Sequence, residues 1–129
     1  MLERHLSQED AVLTAEEAAG LDLAGVEWAV LSGCDTGMGD VEDGDGVFGL
    51  RRAFQVAGAR VVIMSLWPVD DESAHLLMRG IYTSRFASGQ PTAEAVRSAS
   101  LEVLRARRAG GESDHPFYWA AFVAAGLDR

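Results

Sequence analysis

Four consecutive apolar residues, Val61-Val62-Ile63-Met64, lie between two segments of helical periodicity. A strand with one wet face alternates apolar and polar residues. An unbroken run implies cover on both faces, as in a parallel sheet between helices. Before the run, Val47, Leu50 and Phe54 recur at helical spacing with Arg51 and Arg52 on another face, which predicts a helix to about Ala57 capped by Gly58. After it, Trp67-Pro68-Val69-Asp70-Asp71 reads as an exit loop, and Ala74, Leu77, Met78, Ile81 and Tyr82 line one face of a second helix.

The rest of the chain extends this alternation. Thr14-Ala15-Glu16-Glu17 has the form of a capping box, and Gly20 can end the short helix it starts. Val26 to Ser32 reads as a strand rich in β-branched and aromatic residues. Pro91 suits a first helical turn, and the helix after it turns Val96, Leu101 and Leu104 inward and Arg97, Arg105 and Arg108 outward. Ala109 to His115 is a polar loop, and Tyr118 to Ala125 is expected to be the last strand. The order is helix, strand, helix, strand, helix, helix, strand. It predicts a single α/β domain over residues 1–129, three-layered, with a mostly parallel sheet. Three strands are few for such a sheet, which ordinarily has about five or six.

Composition narrows the function. The net charge of -9 opposes binding to a phosphate backbone, so no nucleic-acid partner is expected. One cysteine cannot form an internal disulfide, which fits a reducing, cytoplasmic setting. Met1 to Asp10 is polar and lacks the apolar core of a secretory leader. The apolar runs fall short of the roughly 20 residues a membrane span needs, so no membrane partner is expected either.

The chemistry centres on that cysteine. In open α/β sheets, ligands bind beyond the carboxyl ends of the strands. Cys34 lies there, with Gly33 before it and Gly37 three residues on. Small neighbours permit a sharp turn and close approach of a substrate, which suits a thiolate nucleophile whose own N–H helps bind an oxyanion. The competing reading is a buried thiol that packs as a small hydrophobe.

Val30-Leu31-Ser32-Gly33-Cys34-Asp35-Thr36-Gly37 resembles the nucleophile strand of CHAT domains, relatives of caspases and separase. The resemblance continues through Gly44-Asp45-Gly46-Val47-Phe48-Gly49-Leu50, Arg52-Ala53-Phe54, Ala57-Gly58-Ala59-Arg60-Val61-Val62 and Ser65-Leu66-Trp67-Pro68-Val69-Asp70-Asp71. It closes on His115-Pro116-Phe117-Tyr118-Trp119-Ala120-Ala121-Phe122, and Leu13 to Glu17 with Leu21-Asp22-Leu23 match the approach to the nucleophile strand. The resemblance implies a caspase-like (caspase–hemoglobinase) fold, a protein or peptide substrate, and a Cys-His dyad whose Cys is Cys34. It also implies a bacterial context in which such domains follow helical repeats.

Two departures accompany it. The family's His belongs to a Thr-His-Gly motif at the end of an earlier strand. None of the 33 residues before Cys34 forms one, and the N-terminal strands of the fold are missing with it. His5 reads as a solvated residue, His75 as a surface residue off the apolar stripe, and His115 as a turn residue. An N-terminal half or a helical-repeat partner would then supply the His, and the isolated chain is expected to be inactive. The alternative is an inactive interaction module or a gene remnant.

Gly33, Asp35, Trp67 and Asp70 are the candidate substrate-contacting residues. Asp35, Asp70 and Asp71 could form an acidic pocket for an Arg or Lys side chain, and the competing reading for Asp70 and Asp71 is helix capping. Trp67 is either a groove wall, as the resemblance suggests, or a core aromatic. Asp40, Glu42, Asp43 and Asp45 do not have calcium-loop spacing and read as a solvated acidic loop. One Cys and three scattered His offer no zinc site, and no metal or cofactor is expected.

Overall fold

The computed structural model describes residues 14–31 and 46–128. At its centre is strand β2 (Val61–Ser65), all five residues of which are buried, as the apolar run requires. Strand β1 (Trp28–Leu31) pairs with β2 in parallel, Trp28 opposite Val61 and Leu31 opposite Met64. Strand β3 (Phe122–Gly126) pairs with its other edge, antiparallel, Val61 opposite Gly126 and Ser65 opposite Phe122.

The pleat divides the apolar side chains between two cores. Val61, Ile63 and Phe122 share one with Leu77, Ile81, Val96, Ala99 and Val103. Those helical residues come from α3 (Asp71–Tyr82) and α4 (Thr92–Ala109). Val62 and Met64 face the other way and meet Ala18, Ala53 and Phe54. These belong to α1 (Ala15–Ala19) and α2 (Gly46–Ala57). The alternation holds along β1 as well: Trp28 and Val30 pack on the α3–α4 side, Ala29 and Leu31 on the α1–α2 side. Helices therefore cover both faces of the sheet.

The expected starts and stops are largely in place. Thr14 Oγ1 accepts from Glu17 N at 3.1 Å and begins α1. Gly58 follows α2 with φ of +120°, and a Cβ there would stand 2.7 Å from Ala24 N, so only glycine suits this crossing. No helix among the described residues is long and apolar enough to cross a membrane.

Two expectations need correction. Among the described residues the sheet is mixed rather than mostly parallel: one pairing is parallel and one is antiparallel. The reason lies in the connections. One helix after a strand returns the chain to the strand's start and gives a parallel neighbour. Two helices in succession, α3 and α4, return it to the strand's end, so β3 must run back along β2. The last strand also begins at Phe122 rather than Tyr118. Pro116–Tyr118 forms a 3₁₀ turn, because Pro116 has no N–H to give a ladder and His115 caps the turn from the front. The helix that starts at Asp71 widens after Tyr82 into a π turn, Thr83–Ala87.

Gly126 marks a point where backbones nearly touch. Its φ is +123°, and a Cβ on it would lie 1.9 Å from Arg60 O. Gly126→Ala should therefore lower unfolding stability by about 1–3 kcal/mol, the cost of forcing an L-residue into such a conformation, and by more if β3 must shift. Chemical denaturation measures it; an unchanged midpoint would contradict this packing.

Candidate active site

The carboxyl ends of β1 and β2 lie side by side, and a short strap closes over the β2 end. Leu66 N, just beyond β2, donates to Ala121 O at 2.8 Å. Trp67, half-buried against the α3–α4 core, donates from Nε1 to Phe117 O at 3.0 Å. The strap is held from within. Trp119 Nε1 donates to Asp114 O at 2.9 Å, and His115 Nδ1 accepts from Phe117 N at 3.1 Å. That bond requires an unprotonated Nδ1.

The end of α4 fastens the strap from outside. Arg107 lies over the Tyr118 ring, 3.7 Å from its centroid, and its Nη1 is 3.2 Å from Glu112 Oε2. Arg108 Nε pairs with Asp114 Oδ2 at 3.2 Å. Each contact is at least partly exposed and modest by itself, worth about 0.5–1 kcal/mol for the cation–π contact. Together they fix a segment that has little regular structure. The strap leaves Phe117 38% exposed beside Trp67.

Asp70 opens α3. Its Oδ2 accepts from Ser73 N at 3.1 Å, a standard N-cap. Hydrogen bonding from Ser73, side chain first, holds its carboxyl below the ordinary value against the opposing effect of burial, and Arg107 adds a smaller electrostatic pull. The capping reading of Asp70 is the one the geometry carries. Asp71 lies in the first turn of α3, where a carboxylate complements the helix dipole.

The remaining candidates are unevenly placed. Cys34, Gly33 and Asp35 lie outside the described residues, as does His5; β1 ends at Leu31, three residues before Cys34 in sequence. His75 is exposed on α3 and His115 is exposed on the strap. Among the described residues no three of His, Cys, Asp and Glu come together as metal ligands. Sequence reasoning missed the strap as a unit. The signal available was His115-Pro116 together with Arg107 and Arg108 just upstream, but nothing in their spacing shows that Trp67, 50 residues away, would bond to Phe117 O.

Comparison of the sequence with known proteins shows its family. The family model described as "CHAT domain" matches residues 1–127, and the chain belongs to that family. It is 32% identical over 120 residues to human tetratricopeptide repeat protein 28, covering 93% of this chain. The mouse protein of the same name is 32% identical over 119 residues, covering 92%. The chain spans only about 5% of the length of either relative. No solved structure matches it.

Asp70→Ala should cost about 0.5–2 kcal/mol of stability at neutral pH, whereas Asp70→Asn, which also caps, should cost less. The sign with pH follows from the lowered carboxyl: its stabilisation is fully present above the unfolded-state value and is lost as pH falls through the lower folded value. The gap between wild type and Asp70→Ala, measured by urea denaturation across acid pH, should therefore close on acidification. A gap that widens would contradict the cap.

Proposed function

We propose that this chain carries the nucleophile of a caspase-like cysteine endopeptidase. The observation that supports it most is the segment Val30 to Gly37, in which Gly33-Cys34 follow the end of β1 in sequence, in a chain of the CHAT domain family. Thiolate Cys34 attacks a peptide carbonyl, and the tetrahedral intermediate collapses to a thioester with loss of the amine. Water then releases the acid and restores the thiol. A histidine takes the thiol proton and returns it to the leaving amine. That histidine comes from an N-terminal portion of the domain or from a partner, a helical-repeat protein being the natural candidate given the names of the relatives. The fold completed in this way is the three-layer caspase-like one, and the setting is cytoplasmic.

Trp67 and Phe117 form one wall of the substrate groove in this reading, with Gly33 allowing close approach. Asp35 and the carboxylate of Asp70 favour a basic side chain in the substrate, the natural partner of a carboxylate being guanidinium. Asp70 accepts from Ser73, so its contribution is a nearby charge rather than a free oxygen pair.

A second reading is a non-catalytic interaction module. It is favoured by the histidines: His75 is exposed on α3, and His115 is already engaged through Nδ1 with Phe117 N. The two readings differ in the thiol. A module leaves Cys34 with an ordinary alkylation profile, midpoint at about pH 8.5. A dyad in the assembled protein moves that midpoint well down.

Iodoacetamide labelling of Cys34 against pH, in the native assembly and in the isolated chain, separates them. The isolated chain is expected to turn over no Arg- or Lys-containing peptide. The assembled form is expected to cleave such peptides and to lose all cleavage in Cys34→Ala. Retained cleavage in that variant would sink the peptidase reading.

A further inference from the structure

At the opposite end of the sheet from the strap, α4 begins without a cap of its own. Pro91 occupies the N-cap position and makes no side-chain hydrogen bond to the helix. The acceptor comes instead from the exit of β3. Asp128 accepts from both Thr92 N and Thr92 Oγ1, across 36 residues of sequence. Thr92 is 1% exposed, so its hydroxyl must find partners inside the protein.

A hydroxyl has one proton to give and lone pairs to receive. With its proton committed to Asp128, Thr92 Oγ1 presents a lone pair to Trp28 Nε1, which donates to it at 2.9 Å. Trp28 is the first residue of β1. Its ring is held by Tyr82 and Phe86, with centroids at 5.4 and 5.0 Å. Arg85, from the same π turn, completes the knot: Nε is 3.8 Å from Asp128 Oδ1, Nη2 is 3.4 Å from Glu27 Oε1, and Nη1 donates to Gln90 O at 3.4 Å.

We propose that Asp128 is a latch on strand β1. By capping α4 and orienting the Thr92 hydroxyl, it holds the entrance of β1 against the helical layer. The strand needs such a tether. It is four residues long and only partly buried, whereas every residue of β2 is buried. Local stability follows buried contacts, so β1 can loosen while the fully buried β2 stays in place. Because β1 leads to Cys34, releasing the latch frees the strand that precedes the thiol. The latch itself stands whether or not Cys34 is catalytic.

Amide hydrogen exchange on the ¹⁵N-labelled full chain tests it. Asp128→Ala should speed exchange of the β1 amides that bond to β2 by at least about tenfold more than exchange of the β2 amides Val62 to Met64. It should also shift the indole cross-peak of Trp28, assigned with Trp28→Phe. Thr92→Ser, which keeps the hydroxyl, should leave both readouts near wild type. Should Asp128→Ala fail to fold, Asp128→Asn, which keeps an acceptor and removes the charge, should give the same selective rise at smaller size. Equal acceleration of β1 and β2, or an unmoved Trp28 indole, would reduce Asp128 to a global helix cap and overturn the proposal.

Discussion

The burial of β2 on both faces is the constraint to which the rest of the structure answers. Val61 and Ile63 turn to one side, Val62 and Met64 to the other, and none of the four retains more than a trace of exposure. Burying both faces of a strand demands an apolar layer on each side, at roughly 25 cal/mol for every Å² removed from water. The α3–α4 pair supplies one layer and α1–α2 the other. The pairing directions then follow from helix number: one helix between β1 and β2 makes that pair parallel, and two between β2 and β3 make the second antiparallel.

The two ends of this sheet are built differently. At the carboxyl end of β2, contacts are local to a few short segments: Asp70 caps its own helix, His115 caps its own turn, and Arg107 and Arg108 reach over a loop only a few residues downstream. Among the described residues, Leu66 and Trp67 are the two here that bridge a long stretch of chain, to Ala121 O and Phe117 O. At the amino end the contacts are remote. Trp28, Arg85, Thr92 and Asp128 come from four separate segments and meet around one hydroxyl and one carboxylate. Burial by itself would raise the carboxyl of Asp128, but the two hydrogen bonds from Thr92, with Arg85 nearby, outweigh it and keep the group below its ordinary value. A charge that stays ionised in a half-buried site can hold distant segments together, because each donor aimed at it is strengthened by the charge.

This contrast bears on the proposed function, which puts the chemistry beyond β1, at the end of the sheet that carries the strap. In that reading, a strap built largely from short-range contacts around an exposed Phe117 is the part of the sheet end best able to vary. The remote knot at the other end does the opposite and makes the position of β1 depend on α4 and on the exit of β3. One end of the sheet is arranged for variation and the other for registration.

The sequence by itself determined the elements whose cause is local. The apolar run of β2, the helical stripe of Leu77 and Ile81, the caps at Thr14 and Asp70, and the turn role of His115 are all written in residues within four positions of one another. The order of elements, with two helices before the last strand, already held the antiparallel return of β3, though the alternation of strands and helices suggested a parallel one. The family was legible too, since its motifs are runs of adjacent residues. Tertiary structure alone decided which distant side chains meet. Nothing within 36 residues of Thr92 in the sequence names Asp128 as its cap, and nothing near Trp67 names Phe117. Hydrogen bonds of that kind depend on where the helices set the backbone, to within a fraction of an ångström. Periodicity and propensity specify which face of a segment is buried; the packing of both cores against β2 specifies what that face touches.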